Sequence, residues 1–507
     1  MRLSEELIAA IDEAFVDAFD AEAAPGDLVD EGGRLRLEDA PMAEHLAPLI
    51  HARFRFAVGL GWVRYDGKRW AEVTDDRVSK EIQRRFIAMF KEEAPKVDAE
   101  RRRRLSGLLG ANRIRAVRSL LRGLLEQDGA EFDAQPHLLN CQNGVVDLRT
   151  GELGPHDPDL LFTKITPVPY IAGATHPDWD LALQALPDDD TREWLRVKLG
   201  QAATGRPAPD DVLPILFGGG HNGKSSIVCV RYALGEFASV VPDRLLVSRP
   251  SDHPTELTEL KGVRMAILEE LPEKTLSVSR LKSILGTPTV TARRIARNTM
   301  TWEATHTLVL TTNHKPRVSE SDFGTWRRLA LVTFPFRFRN GDKALELPND
   351  RRGSEGLRER LEVGQEQWTA MLAWLVSGAV DCYQGEAQRV PEPSARVRSD
   401  TSAWRGESDL LLQFATSCLE FDPGSCVLAT ELHEAFTVFA ESTGHMALAS
   451  NTFSERLEAH ELAAEHNLRK ARSRVRGELS RRHGHRKAAN PTGPASLWFG
   501  VRFREGV

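Results

Sequence analysis

The 507-residue chain is poor in cysteine: Cys141, Cys229, Cys382, Cys418 and Cys426 are scattered, with no Cys-x-x-Cys pair. This argues against a disulfide frame or a cysteine-based zinc site, and for a reducing compartment. Long apolar runs are lacking as well. None approaches the roughly 18 residues of a membrane-crossing helix, so no membrane partner is expected. A basic leader is missing, because the opening stretch MRLSEELIAAIDEAF is acidic where a secretory signal is basic. Internal repeats and low-complexity tracts are absent outside a few arginine-rich segments, which argues against solenoid architectures.

What is present suits a large globular protein. Hydrophobic residues make up 41% of the chain, enough for packed cores, and the length allows roughly three or four domains. The net charge of -6 conceals a marked asymmetry. Residues 1–50 hold thirteen acids against Arg2, Arg34 and Arg36, while residues 101–122 hold eight arginines and no acid. Residues 469–487 hold nine Lys or Arg against Glu478 alone. Each basic block suits either a polyanion or a solvated helix face.

The stretch LFGGGHNGKSSI carries the clearest chemistry. Gly218, Gly223, Lys224 and Ser225 fit G-x-x-x-x-G-K-[ST], a phosphate-binding loop formed by Gly218, Gly219, Gly220, His221, Asn222, Gly223, Lys224, Ser225 and Ser226. Glycines let backbone N–H groups turn towards a β-phosphate, Lys224 reaches the β/γ oxygens, and the Ser225 hydroxyl suits Mg²⁺. VLPILF before it reads as a buried strand, and KSSIVCVRYALGEF after it reads as a helix. Forty-five residues after Lys224, MAIL ends in Glu269 and Glu270. That pair fits one carboxylate aimed at the Mg²⁺ shell and one polarising the attacking water. HTLVLTT reads as a further strand ending at Asn313, where an amide can bond a γ-phosphate or the water. Arg327 and Arg328 follow, placed for a guanidinium acting on a neighbour's nucleotide. Between the acids and Asn313, Val290–Ile295 and Met300–Thr305 read as a hairpin with Ala296–Thr299 at its tip. Arg297 is expected at that tip, with Arg293 and Arg294 on the stem, a basic projection suited to nucleic acid.

Organisation follows from turn and periodicity signals. Residues 1–30 read as an acidic helix, 60–73 as a hairpin turning at Asp66-Gly67, and 138–153 as another at Asn143-Gly144. Residues 211–335 alternate strand and helix, the pattern of a parallel α/β sheet. Residues 354–385 read as helical, 390–400 as a linker, and SLWFGVRF as a closing strand. The expected divisions are an α+β region (1–135), a pre-ATPase segment with helical collar (136–205), the P-loop core (206–345), a helical lid and linker (346–400) and a tail (401–507).

In this order the motifs resemble superfamily III helicases, specifically the phage and plasmid primase-helicase group that includes poxvirus-type enzymes. NGVVDLRTGEL, HDPDLLFTKITPVPY and LPDDDTREWLRVKLGQAATG are similar to that group's segment before the ATPase, and the likeness is read from about 136 onward. It implies an α/β fold: an AAA+-like P-loop ATPase with a parallel sheet, flanked by an α+β N-terminal region and a winged-helix-like C-terminal domain. It also implies a ring, usually a hexamer, with ATP and Mg²⁺ at subunit interfaces and single-stranded or forked DNA in the channel. Carried over, Lys224 and Ser225 are the loop pair, and Glu270 is the better match to the family acid beside Glu269. Asn313 is the sensor, Arg327 or Arg328 the trans finger, and Arg297 the tracking-hairpin tip. Two departures stand out. GTP at Gly286–Pro288 replaces the family's Gly-Gly-Asp, and residues before 136 hold neither a paired metal-binding Asp motif nor a zinc knuckle. The implied protein is therefore a cytoplasmic replicative DNA helicase of a bacterial phage or plasmid, without a primase domain of its own and working with a separate primase or other replication proteins. The alternative is an ATP-regulated initiator or loader, with residues 450–462 as a groove helix and SLWFGVRF as the wing. A small-molecule P-loop kinase would need a second substrate pocket and no basic hairpin.

Overall fold

The computed structural model describes residues 28–29, 33–247, 255–270, 275–285, 287–293, 299–318, 323–339, 341, 344–443, 447–475, 477–482 and 490–506. The expected acidic helix at 1–30 lies almost wholly outside them. The chain forms two compact units, one of residues 1–135 with 155–165 and one of 136–154 with 166–507.

The first unit packs helices on a small sheet. Its elements are α1 (Asp39–His51), β1 (Phe54–Ala57), β2 (Gly61–Tyr65), β3 (Trp70–Glu72), α2 (Asp75–Glu93), α3 (Ala99–Gly107), α4 (Ala111–Leu124) and β4 (Glu126–Gln127). The strand order is β3-β2-β1-β4. The expected turn between β2 and β3 forms because Asp66 Oδ1 accepts from the Lys68 and Arg69 N–H groups at 2.9 Å each, and Gly67 takes a φ of +100°. Helix α2 buries Val78, Ile82 and Phe86, four residues apart, and α4 buries Ile114, Val117 and Leu121. Those stripes close one core with Met42, Leu46 and Trp62.

The second unit opens with a meander of β5 (Leu138–Cys141), β6 (Gly144–Asp147) and β7 (Glu152–Gly154), so the expected hairpin gains a third strand. Helices α5 (Pro177–Leu183) and α6 (Asp189–Ala203) follow. Then come β8 (Leu213–Phe217), α7 (Lys224–Val228), α8 (Val230–Leu234), β9 (Ala238–Val241), β10 (Met265–Glu269), α9 (Val278–Leu285), β11 (Thr289–Arg293), β12 (Thr299–Glu303), β13 (Thr307–Thr312) and β14 (Leu329–Thr333). The helix expected after the loop is two short ones. At Cys229 the bonds tighten to i→i−3 spacing, Cys229 N–H to Ser226 O and Tyr232 N–H to Cys229 O.

Five strands form one parallel sheet in the order β14-β8-β13-β10-β9. Their inner residues are near-continuously buried, as a sheet covered on both faces requires. Beyond it lie β15 (Arg337–Arg339), β16 (Asp350–Arg352), α10 (Leu357–Val363) and α11 (Gln365–Gln384). Helices α6 and α11 cross backbone to backbone at Gly200 and Gly378, where any Cβ would strike the other helix.

The expected linker at 390–400 is corrected by α12 (Ala395–Ser408), which packs on the sheet. The Thr401 hydroxyl accepts from Leu331 N–H of edge strand β14 at 2.9 Å, and Trp404, 1% exposed, meets Trp326 edge-on with ring centroids 4.9 Å apart. The chain then forms α13 (Leu410–Cys418), β17 (Leu419–Leu428), α14 (Ala429–Ser442), α15 (Ser450–Ala459), β18 (Arg469–Ser473), β19 (Glu478–Leu479) and β20 (Ala495–Phe503). These share a separate hydrophobic cluster around Phe414, Phe436, Phe453 and Trp498. SLWFGVRF is a strand as expected, but an inner one: β20 lies between β18 and β17 with Trp498 fully buried. It is the stem of a ribbon with β18 rather than an exposed wing.

Candidate functional site

The sheet order brings the sequence motifs together. Strand β13 is inserted between β8 and β10, with Thr312 opposite Phe217 and Thr311 opposite Glu269. The loop after β8, Asn313 after β13 and the acids ending β10 therefore share one edge of the sheet. That edge is the carboxyl end of the strands, where neighbouring connections diverge and leave a crevice.

The loop's shape depends on two glycines. Gly223 has a φ of +86°, and a Cβ there would run into Ala185. At Gly218 a Cβ would overlap the Asn222 amide and come within 2.9 Å of Phe334 O. Gly219 and Gly220 face open space. Lys224 folds back inside the loop. Its ammonium donates to Gly218 O, to Gly219 O at 3.3 Å, to Asn222 Oδ1 at 3.2 Å and to Asn313 Oδ1 at 2.9 Å. Burial pulls its pKa down to about 8, and the Glu270 charge opposes that shift. Asn222 Nδ2 is buried with no acceptor among the described residues. Lys224 and Asn313, 89 residues apart in sequence, thus meet through one hydrogen bond.

The two acids diverge. Glu269 pairs with Arg231 of α8. Glu270 sits at φ +53° with its N–H on Thr311 O at 3.0 Å, and its charge acts on Lys224. Ser225, Glu269, Glu270 and Thr311 border a cavity of about 330 Å³. A hydroxyl and one or two carboxylates fit Mg²⁺, which takes few protein ligands beside substrate phosphates and water. Among the described residues no group of three or more His, Cys, Asp or Glu is poised for a metal.

On the other side of the loop lies a cavity of about 520 Å³ that the sequence reading missed. Leu181 and Ala185 come from α5 and its exit, Phe338 from β15, and Leu357 from α10. Arg358 borders both cavities and holds Glu362 at 2.7 Å. No local motif marks these residues, since they come from several separate elements.

The arginine pair lies elsewhere. Arg327 and Arg328 precede β14, whose Thr333 is opposite Phe217. They are therefore at the far end of the sheet from the loop, about 16 Å away for five residues of strand. Arg328 is committed internally, bonding Gly324 O at 2.6 Å and Asp211 at 3.4 Å, whereas Arg327 is exposed.

The expected hairpin forms, with Thr289 opposite Glu303 and Arg293 opposite Thr299. Arg294 and Arg297 lie outside the described residues, as does the side chain of Arg293. The arginine-rich 101–122 block is structural in its described contacts. Arg101 and Arg102 donate to Leu35 O and Ala94 O, Arg104 pairs with Glu38, and Arg113 with Asp39. Arg118 and Arg122 share Asp75. In the tail, Arg469, Arg472 and Arg474 are exposed, and Lys470 reaches Ser454 Oγ of α15 at 2.8 Å. Among the described residues no helix is long and apolar enough to cross a membrane.

Comparison with known proteins finds similarity to viral replication proteins. Residues 43–198 match the family described as D5 N terminal like. The match begins in α1, well before residue 136, where the sequence reading began the likeness. "Putative primase C962R" of African swine fever virus is 28% identical over 327 residues, 61% of this chain and 33% of that protein. "Putative helicase L207/L206" of Acanthamoeba polyphaga mimivirus is 28% identical over 218 residues, 41% of this chain and 22% of that protein. The chain spans about a third or less of the length of these relatives. Among solved structures, the apo A form of the NrS-1 C-terminal region is similar at 13% identity, covering 85% of this chain and 87% of that one. Its TM-score of 0.43 is too low to define the fold.

Proposed function

We propose that the chain is an ATP-hydrolysing DNA motor of the D5-type primase-helicase kind, acting in replication as a helicase. The observation that carries this reading is the meeting of Lys224 and Asn313 beside Glu270 at adjacent strand ends. The 520 Å³ cavity suits a nucleoside and the loop its phosphates. Lys224 leaves its carbonyls to neutralise the β/γ oxygens. Asn313 orients the attacking water, and Glu270 takes its proton as the bond from γ-phosphorus to the bridging oxygen breaks. Ser225 would hold Mg²⁺ together with Glu269 once Glu269 releases Arg231, and the ion would supply further charge neutralisation at the phosphates. Arg327, too far from its own loop, reaches the γ-phosphate of a neighbouring copy. The site is then complete only in an oligomer, for which a hexameric ring is the reading. Fold and tail fit the same picture: an AAA+-like core followed by a winged-helix-like unit whose exposed arginines face DNA.

Lys224→Ala should cut ATP turnover by at least a hundredfold, since Lys224 is the cation held inside the loop, on Gly218 O and Asn313 Oδ1. Turnover within tenfold of wild type in a phosphate-release assay would remove the assignment. The tail's α13–β20 unit also favours a second reading, an initiator that binds DNA and uses ATP only to assemble. Strand separation of a forked duplex, dependent on hydrolysis, decides for the motor. Hydrolysis without separation decides for the initiator.

A further inference from the structure

The first unit carries a cationic pocket that the nucleotide site does not use. Arg53 precedes β1 and Arg64 lies on β2, while Arg77, Lys80 and Arg84 lie three to four residues apart along α2. Together they border a cavity of about 360 Å³ floored by buried Phe54. The spacing on α2 matters. Val78, Ile82 and Phe86 hold another stripe in the core, which fixes the helix so that the basic residues border the cavity beside Arg53 and Arg64.

The charge at this pocket is unbalanced. Its one carboxylate, Glu81, is already taken: Arg84 bonds it at 2.8 and 3.1 Å and Arg85 at 3.1 Å. Arg64, Arg77 and Lys80 have no ion-pair partner among the described residues. Arg64 is half-buried, and its pKa is pushed down by burial first and then by the charges of Arg77 and Arg53. The contrast with 101–122 is informative. There the guanidiniums of α3 and α4 mostly end on a carboxylate or carbonyl, as structural arginines do. Here like charges converge on a cavity, an arrangement that a multiply charged anion relieves.

We propose that Arg53, Arg64, Arg77 and Lys80 form a binding site for linked phosphate groups, carried by a nucleic-acid strand or by a free polyphosphate. Several cations around one cavity match several negative charges better than a single carboxylate. The proposal does not depend on the hydrolytic reading of the second unit. It also places the basic contact outside both sequence blocks that charge counting singled out.

The test uses the full chain carrying Lys224→Ala, so that the phosphate loop contributes least. Two probes are read: a fluorescein-labelled dT15 strand by anisotropy, and inorganic tripolyphosphate by thermal shift. Arg77→Ala/Lys80→Ala removes two exposed side chains with no ion-pair partner among the described residues, so the unfolding midpoint should stay put. If a strand is the ligand, dT15 affinity at about 100 mM salt should fall roughly tenfold. The slope of log affinity against log salt should become shallower by about 1.4, at about 0.7 for each phosphate no longer neutralised. If a free polyphosphate is the ligand, stabilisation by tripolyphosphate should vanish while dT15 binding holds. The control Lys91→Ala/Lys96→Ala removes the same charge further along the chain and should change neither. Unchanged response to both probes, or equal losses in the control, overturns the proposal.

Discussion

Lys224 shows how one side chain can report on the whole site. Held among carbonyls and amides, it has a pKa near 8 against an ordinary 10.5. Because the folded value is the lower one, the unfolded chain holds the extra proton between about pH 8 and 10.5. The stability penalty of burying the ammonium is thus present below about pH 8 and eases as pH rises through that window. Phosphate binding has the opposite demand, since it needs the proton. Nucleotide affinity should therefore be flat up to about pH 7.5 and fall about tenfold per pH unit above 8. Calorimetric titrations at pH 7 and 9, in buffers of different ionisation enthalpy, should show proton uptake only at pH 9. Flat affinity to pH 9.5 would mean that this ammonium does not face the phosphates. Arg327 and Arg328 make a second residue-level contrast. Neighbours in sequence, they divide into an exposed guanidinium and one committed to Asp211. Arg327→Ala should bind nucleotide normally yet hydrolyse poorly, and mixing it with Lys224→Ala should restore activity above the sum of the two. A mixture that stays at that sum places the finger elsewhere.

Among the elements, the hairpin and the strand that ends at Asn313 are the ones that the proposed motor reading couples. Strand β12 ends at Glu303 and β13 runs from Thr307 to Thr312, so the hairpin leads directly into the strand that ends at Asn313. Pairing β11 with β12 in register over five residues makes that hairpin stiff. Arg297, beyond the described residues, is the sequence's candidate for a phosphate grip at the far end. Arg297→Ala should leave basal ATP turnover within about twofold and lose DNA stimulation, read as turnover with and without single-stranded DNA at physiological salt. Full stimulation in the variant would assign the grip to another element.

For the molecule as a whole, the tail's position matters most. The cluster around Phe414 and Trp498 is separate from that beneath the parallel sheet, and the natural cut lies at Asp409 rather than 400. Asp409 caps α13 by accepting from Leu412 N–H at 3.0 Å, and also bonds buried His460 at 2.8 Å. A fragment of 409–507 should therefore fold cooperatively, whereas one starting at 401 carries the second half of α12 without the sheet that buries Trp404. The shorter fragment should bind duplex DNA with a log–log salt slope of about −2.7, if Arg469, Arg472 and Arg474 each meet one phosphate. No affinity at 50 mM salt would remove DNA binding from the tail.

The sequence alone determined what depends on near neighbours. The loop's glycines, the Asp66-Gly67 turn, the alternation of 211–335 and the stems of the arginine hairpin are all legible, because each arises from local backbone geometry or a short apolar period. Tertiary structure decided what depends on distant residues meeting. Insertion of β13 between β8 and β10 puts Asn313 on Lys224, and no local pattern encodes strand order. The helix at 395–408 looked like a linker because Pro391 and Pro393 before it and its own charges are local signals, while the sheet that buries Trp404 is not. Charge runs misled for the same reason. Most arginines of 101–122 meet partners elsewhere in the fold, up to 76 residues away, and the cationic pocket gathers side chains from the start of β1, from β2 and from α2 that no run of sequence displays.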